Sequence, residues 1–356
     1  HFPQTLMAES EAREIMSVKY QIVSPQSNKP VMGLIQDSLL GMFLLSGATV
    51  SRADGMQMLQ APLPNQSTFT GLEIVSRVLP NINYRGGVCI VHGQVLSGRF
   101  TKRDLGTSHG SLIHVMFNDL GPTVCVDTMH KLQRLSHTYL QIRGFTIGLG
   151  DLVRSDEVTR LCEAERASAY ADVEGADEAE TNIRLNNCRN VMGKAALSQM
   201  DERNNLFSMV HCGSKGSMVN ITQLQACIGQ QNVRGGRIPM EWSNRTMTQF
   251  QPGDKHPRTR GFVERCYLEG LTSSEMFFHN QAGREGLIDT AIKTAETGYI
   301  ERRLSKALEN IRTCADGSCR DGGRMICFAY GDDGMDGMRV EKQRFQGFSG
   351  ADETFI

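Results

Sequence analysis

The chain has 356 residues, 40% hydrophobic and 22% charged, which supplies a packed core and excludes a wholly disordered chain. Its 38 basic residues nearly cancel 39 acidic ones, for a formal net charge of −1, so net charge alone gives no reason to expect a nucleic-acid partner. The length suggests two or three domains, and the longest uncharged apolar stretch, Ser38 to Ser51, is about 14 residues against the roughly 20 that a membrane span needs.

In chain order, Met7 to Tyr20 predicts a helix without Gly or Pro, and Gln21 to Pro30 a strand running into a polar turn. A second helical pattern starts at Pro30, runs through Met32, Ile35, Leu39 and Leu40, and closes at Gly41. Residues 42–150 are rich in Gly and in short β-like runs, Val88 to Val91 and Leu112 to Met116 among them. They predict a small β-rich or α+β unit with long loops. The composition changes at Asp151. Residues 155–205 lack Pro and are dense in Ala, Glu, Arg and Asn, which predicts a helical hairpin with much polar surface, projecting rather than buried. A Gly-punctuated segment comes next, Gly213 to Ser217 and then Gly229 to Gly236, and residues 243–261 read as a polar loop. No signal-peptide pattern opens the chain, and ten Cys occur without a Cys-x-x-Cys pair. Both point to a reducing compartment with mostly buried thiols.

The last strong pattern is a helix from Ser273 to about Ile311, opened by Thr272-Ser273-Ser274-Glu275, which matches a capping box. Some 37 residues make a rod of about 55 Å, where an ordinary helix has about 11 residues. Ile300, Leu304, Leu308 and Ile311 form a stripe expected to pack on a core, and the opposite face carries Ala295, Tyr299, Arg302, Arg303 and Lys306. Gly283, Gly286 and Gly298 each cost about 1 kcal/mol relative to Ala, so the helix is either closely packed or meant to bend. Two readings of this helix stay open. One is a solvated helix with Glu285–Asp289–Lys293 charge pairing. The other is a helix against a polyanion, with Thr294 and Ala295 admitting a flat base pair, Tyr299 touching a base or sugar, and Arg302, Arg303 and Lys306 holding phosphates.

The segment Gly283 to Ile300 closely resembles the bridge helix of the largest subunit of multisubunit DNA-dependent RNA polymerases. Gln21 to Pro30, Met32-Gly33 and Gln36-Asp37 resemble the end of that subunit's active-site domain. Gly213 to Ser217, Asn220-Ile221 and Gly229-Gln230-Gln231 resemble its pore and funnel floor. Gly261 to Glu264, Tyr267-Leu268 and Gly270 to Thr272 are similar to the approach to the bridge helix; Tyr330-Gly331, Asp333 to Asp336 and Glu341 to Gln343 are similar to the region downstream of it. These segments keep the family's order.

The resemblance implies an α+β, multidomain slice of that subunit. Its parts would be the end of the active-site domain (1–41), the β-rich pore domain (42–150), the funnel with its helical hairpin (151–270), the bridge helix (271–311) and the start of the following cleft region (312–356). It implies RNA synthesis from NTPs on a DNA template, in a complex with the second-largest and smaller subunits and the remainder of the largest. The DNA template, RNA transcript and NTPs would be partners, and no membrane. The location would be nuclear, or virion or host cytoplasm for a viral relative. Catalytic magnesium is expected on ligands outside this chain, since the family's aspartate motif is absent, as is its trigger loop; the chain reads as an internal piece, inactive alone. Thr294 and Ala295 would lie beside the template base at the addition site; Lys293, Tyr299, Arg302, Arg303 and Lys306 would contact nucleic acid. Gln230, Gln231, His279 and Glu285 resemble the funnel-side pocket that binds the toxin amanitin in nuclear polymerase, although Asn280-Gln281-Ala282 replaces the usual Ala-Met-Gly. A second reading is a non-catalytic nucleic-acid-binding or assembly scaffold.

Other patterns are turn or surface chemistry. Asp332, Asp333 and Asp336 fail the calcium-loop spacing, Cys314, Cys319 and Cys327 lack a zinc spacing, and Gly213 to Ser217 is not a phosphate loop. His92, His109, His114 and His137 have no assignable partner.

Overall fold

Thr5 caps the first helix, α1 (Leu6–Glu14), its hydroxyl accepting from the Ala8 N–H at 3.1 Å. This helix ends well before Tyr20, and Val18–Tyr20 forms a separate 3₁₀ turn. The expected strand and turn are a hairpin, β1 (Val23–Ser24) paired with β2 (Lys29–Pro30). These elements come from the computed structural model, which describes residues 2–173 and 175–339. The described residues group into two compact units. The first holds the residues up to Gly144 with Cys212–Ser214 and those from Leu308 on; the second holds Phe145–His211 and Lys215–Ala307.

In the first unit, the helix expected from Pro30 to Gly41 is displaced to α2 (Gln36–Ser46). Pro30 is held in β2, and the Leu34 N–H donates to the Leu105 carbonyl at 2.8 Å, which keeps the intervening backbone extended. Gly41 does not end the helix. It lies inside, where a Cβ would come within 2.2 Å of the Ser136 Oγ. A helix apolar all round is a buried one, and Leu39, Met42, Phe43 and Leu45 are all in the core.

Next along the chain are β3 (Thr49–Ser51), α3 (Arg52–Leu59), β4 (Thr68–Thr70), which pairs with β3, and α4 (Gly71–Ser76). A three-stranded antiparallel sheet comes after them: β5 (Tyr84–Arg85), β6 (Val88–Val91) and β7 (Gln94–Gly98). Then come α5 (Lys102–Leu105), α6 (Leu112–Leu120) and α7 (Pro122–Arg143). Of the two expectations for 42–150, α+β is the one that forms. Leu112 to Met116, read as β-like, is the first turn and a half of α6. A five-residue apolar run has no decisive period, and here Ser111 caps it by accepting from the His114 N–H at 3.4 Å. The core joins Ile74, Ile90, Phe100, Leu105, Ile113 and Leu135. Two histidines without an expected partner have one: His114 Nε2 lies 3.1 Å from Asn28 Oδ1, and His137 Nε2 lies 2.9 Å from Ser38 Oγ.

The second unit opens with the expected helical hairpin, α8 (Asp156–Asp172) and α9 (Glu178–Ser198). It is not all surface. Val158, Cys162 and Ala169 of α8 and Leu185, Cys188, Met192 and Ala196 of α9 recur at helical spacing and are buried with Leu206, Ile221, Ala226, Cys227 and Phe262. Next are α10 (Asn205–Cys212) and α11 (Met218–Ile221), the latter running into a wide turn over Thr222–Ala226. Three short strands succeed them, β8 (Gly229–Gln230), β9 (Asn232–Val233) and β10 (Gly236–Arg237). β10 folds back on β9 through Arg234 and Gly235, both at positive φ, and β11 (Phe262–Val263) pairs with β8. The long helix is α12 (Ser273–Leu308). Ile311 is not part of it: it belongs to the first unit and opens β12 (Ile311–Thr313), which pairs with β13 (Cys319–Asp321), itself paired with β14 (Arg324–Cys327). Most Cys are buried as expected, with Cys314 exposed.

Candidate nucleic-acid interface and the polar pocket beside it

The first turns of α12 are fastened to the chain before them. The Glu275 carboxylate accepts from the Thr272 N–H at 2.9 Å and its hydroxyl at 2.7 Å, while the Thr272 Oγ1 accepts from the Glu275 N–H at 3.3 Å. That is the reciprocal box expected from the sequence. The other carboxylate oxygen accepts from the Glu264 and Arg265 N–H groups at 3.1 and 3.3 Å, which ties the helix to the end of β11. Burial pushes the Glu275 carboxyl up, but the Thr272, Arg265 and Glu264 donors together hold it below its ordinary value. Phe278, 1% exposed, stacks on Phe250 with ring centroids 6.3 Å apart, and Gln249 Nε2 donates to the Ser274 Oγ at 2.7 Å.

Three of the four expected pocket residues lie by β8, which pairs with β11, or by the β9–β10 hairpin. His279 Nδ1 lies 3.0 Å from Gln231 Oε1, and its Nε2 lies 2.7 Å from the Tyr267 hydroxyl. With Gln231 accepting, the Nδ1–H tautomer leaves Nε2 to accept the phenolic proton. The Gln231 amide nitrogen donates in turn to the Gly229 carbonyl at 3.1 Å. Glu285 stands farther along the helix, where both its oxygens accept from the Arg234 N–H, at 2.8 and 3.1 Å, at the tip of the β9–β10 hairpin. Gln230 is not level with these. It is 5% exposed, its amide donates to the Arg260 and Gln231 carbonyls, and its Oε1 has no donor. Asn232 Oδ1 and Gln281 Oε1 are likewise buried without a donor, which groups three unsatisfied amide oxygens on β8, β9 and α12. Tyr267 is marked in the sequence only by a family likeness; its role comes from tertiary placement and carries no local signal.

Beyond Glu285 nothing in the helix is buried. At about 100° per residue, Ala295, Tyr299, Arg302, Arg303 and Lys306 share one arc of roughly 100°, and Thr294 and Lys293 fall about 80° beyond its two edges. Tyr299 is 64% exposed, and the Arg303 guanidinium carbon sits 5.2 Å from its ring centroid. This packs a cation on an aromatic face that a base could also use. Thr294 Oγ1 donates to the Thr290 carbonyl at 2.8 Å, and Lys293 Nζ is 2.6 Å from Asp289 Oδ2. That hydrogen bond and charge raise the Lys293 pKa. The stripe expected to pack on a core does not: Ile300, Leu304 and Leu308 are 51, 57 and 56% exposed. A Cβ at Gly283, Gly286 or Gly298 would meet nothing within 4 Å. No described part of this chain therefore requires those glycines.

The aspartates after β14 do make turns, Asp333 accepting from the Met335 N–H at 2.8 Å and Asp336 from the Met338 N–H at 3.0 Å. Among the described residues no cluster of three or more His, Cys, Asp or Glu side chains could hold a metal.

Comparison with known proteins matches three consecutive stretches to one family. Residues 21–152 match RNA polymerase Rpb1, domain 3; residues 163–263 match domain 4; residues 270–342 match domain 5. Two curated relatives, the DNA-directed RNA polymerase II subunits RPB1-A and RPB1-B of Trypanosoma brucei brucei, are each 36% identical over 387 residues, covering 96% of this chain. The chain spans 22% of the length of each.

Proposed function

The chain belongs to the RNA polymerase Rpb1 family, and we propose that it forms the pore, the funnel and the bridge helix beside the nucleotide-addition site of a DNA-directed RNA polymerase. The observation that carries this reading is the distal part of α12. There Ala295, Tyr299, Arg302, Arg303 and Lys306 occupy one exposed arc of a 36-residue helix with no buried residue beyond Glu285. Thr294 and Ala295 lie beside the template base, Tyr299 against the template strand, and the three cations toward its phosphates; Lys293 flanks them. The other polymerase subunits, the template, the transcript and the incoming NTPs are its partners, in the nucleus. The group of Gln231, His279 and Glu285, with Gln230 behind it, is the funnel-side pocket.

The reaction of such an enzyme is attack of an RNA 3′ hydroxyl on a nucleoside triphosphate, with magnesium supplying charge stabilisation when bound. The donors described in this chain do not fit that ion, so none of its residues is assigned a step through it. This chain's residues orient the template and hold its backbone.

The test is the double variant Arg302→Ala with Arg303→Ala in reassembled polymerase. Losing two phosphate contacts to a single strand reduces the salt slope of template binding by about 1.4. Processivity should fall, most at low salt, with the deficit narrowing as salt rises; unchanged processivity across salt would overturn the assignment. The isolated chain should elongate no primer, and any incorporation of labelled nucleotide would contradict that.

A further inference from the structure

The small sheet after α12 places two thiols directly opposite each other. Cys319 of β13 and Cys327 of β14 are antiparallel partners, and Gly322-Gly323 joins the strands, with Gly322 at φ +56°. That turn pairs Asp321 with Arg324 and Arg320 with Met325, and a register shift between Arg320 and Cys319 then sets Cys319 opposite Cys327. Directly opposed residues of an antiparallel pair have Cα atoms about 4.5–5.5 Å apart and side chains on one face. A disulfide takes Cα separations of roughly 4.4–6.8 Å. Across that shift the two side chains are in hydrogen-bond contact, so the sulfurs already meet. Both are free thiols, Cys319 buried and Cys327 half-buried, the latter with its Sγ 3.1 Å from the Ala329 carbonyl.

We propose that Cys319 and Cys327 are a reversible oxidation site, a cross-strand dithiol that a peroxide closes to a disulfide. Peroxide oxidises the more accessible Cys327 sulfur to a sulfenic acid and releases one water. The Cys319 sulfur then attacks the Cys327 sulfur. The S–S bond forms, the S–O bond breaks, and the departing hydroxide takes the Cys319 proton as a second water. Two thiols lose two electrons and two protons, one peroxide becomes two waters, and a thiol reductant reverses the change. Burial first, then the hydrogen bond and charge of the Cys327 sulfur, raise the Cys319 pKa, which keeps it a thiol and disfavours direct oxidation of its sulfur by peroxide. Cys314, exposed in the turn before β13, is the competing thiol.

Trypsin separates the two cysteines at Arg320 and Arg324. The folded full-length chain is treated with hydrogen peroxide, its remaining thiols are alkylated, and the digest is read by mass spectrometry. Peptide 313–320 linked to peptide 325–339 should appear, and vanish after reduction. The link should persist in Cys314→Ser and be lost in Cys319→Ser and in Cys327→Ser. Full alkylation of all three after peroxide, or a link that disappears in Cys314→Ser, overturns the proposal.

Discussion

Between Ser273 and Glu285, α12 commits its side chains to its own chain, whereas between Leu287 and Leu308 it commits almost none. The proximal stretch buries Phe278, closes the Thr272–Glu275 box and holds Gln231 and Arg234 through His279 and Glu285. The distal stretch leaves Leu287, Ile292, Ile300, Leu304 and Leu308 exposed, supported by local pairs such as Lys293 with Asp289. Helices in folded proteins draw most of their stability from a packed face. The distal half has none among the described residues, so its side chains are available to something outside the chain.

The sharpest way to break this contrast is to truncate one apolar residue in each half. Phe278→Ala should cost about 3–5 kcal/mol of unfolding free energy, and Leu304→Ala within about 0.5 kcal/mol, both by denaturant titration of the isolated chain. Equal costs would mean that the distal half is packed after all. Next in size is Glu275→Gln, which should cost about 1 kcal/mol by weakening the cap. Because the folded carboxyl is held low, its contribution is present above the unfolded value of about 4.3 and is lost as pH falls through the folded value. The variant should lose that acid-side dependence; an acid limb unchanged in the variant would count against the box. The smallest effect has the opposite sign. Gly298→Ala, with open space at the Cβ, should stabilise the chain by up to about 1 kcal/mol while slowing elongation in reassembled polymerase. A faster or unchanged polymerase would remove the case that this glycine serves flexure.

Local chemistry is legible in the sequence, and placement is not. The capping box, the α8–α9 hairpin and the near-full extent of α12 come from residue types at fixed spacing. The end of α12 is overrun because Ile311, three residues after Leu308, continues the apolar face while its backbone pairs with Asp321. Leu112 to Met116 misleads because five apolar residues fit either period. At the site, the cationic arc can be drawn from sequence alone, since it needs only helical geometry. The Tyr267–His279–Gln231 chain cannot, because it depends on β8 pairing with β11 and on where Glu275 fastens α12.

That chain of hydrogen bonds also has a polarity. With the Nδ1–H tautomer of His279, each proton points the same way, from the Tyr267 hydroxyl to His279, from His279 to Gln231, and from Gln231 to the Gly229 carbonyl. The phenolic oxygen therefore turns only lone pairs outward. A hydroxyl or ammonium donor brought to Tyr267 would find an acceptor there and a bare anion would not, so the direction of these hydrogen bonds gives that oxygen a preference of its own.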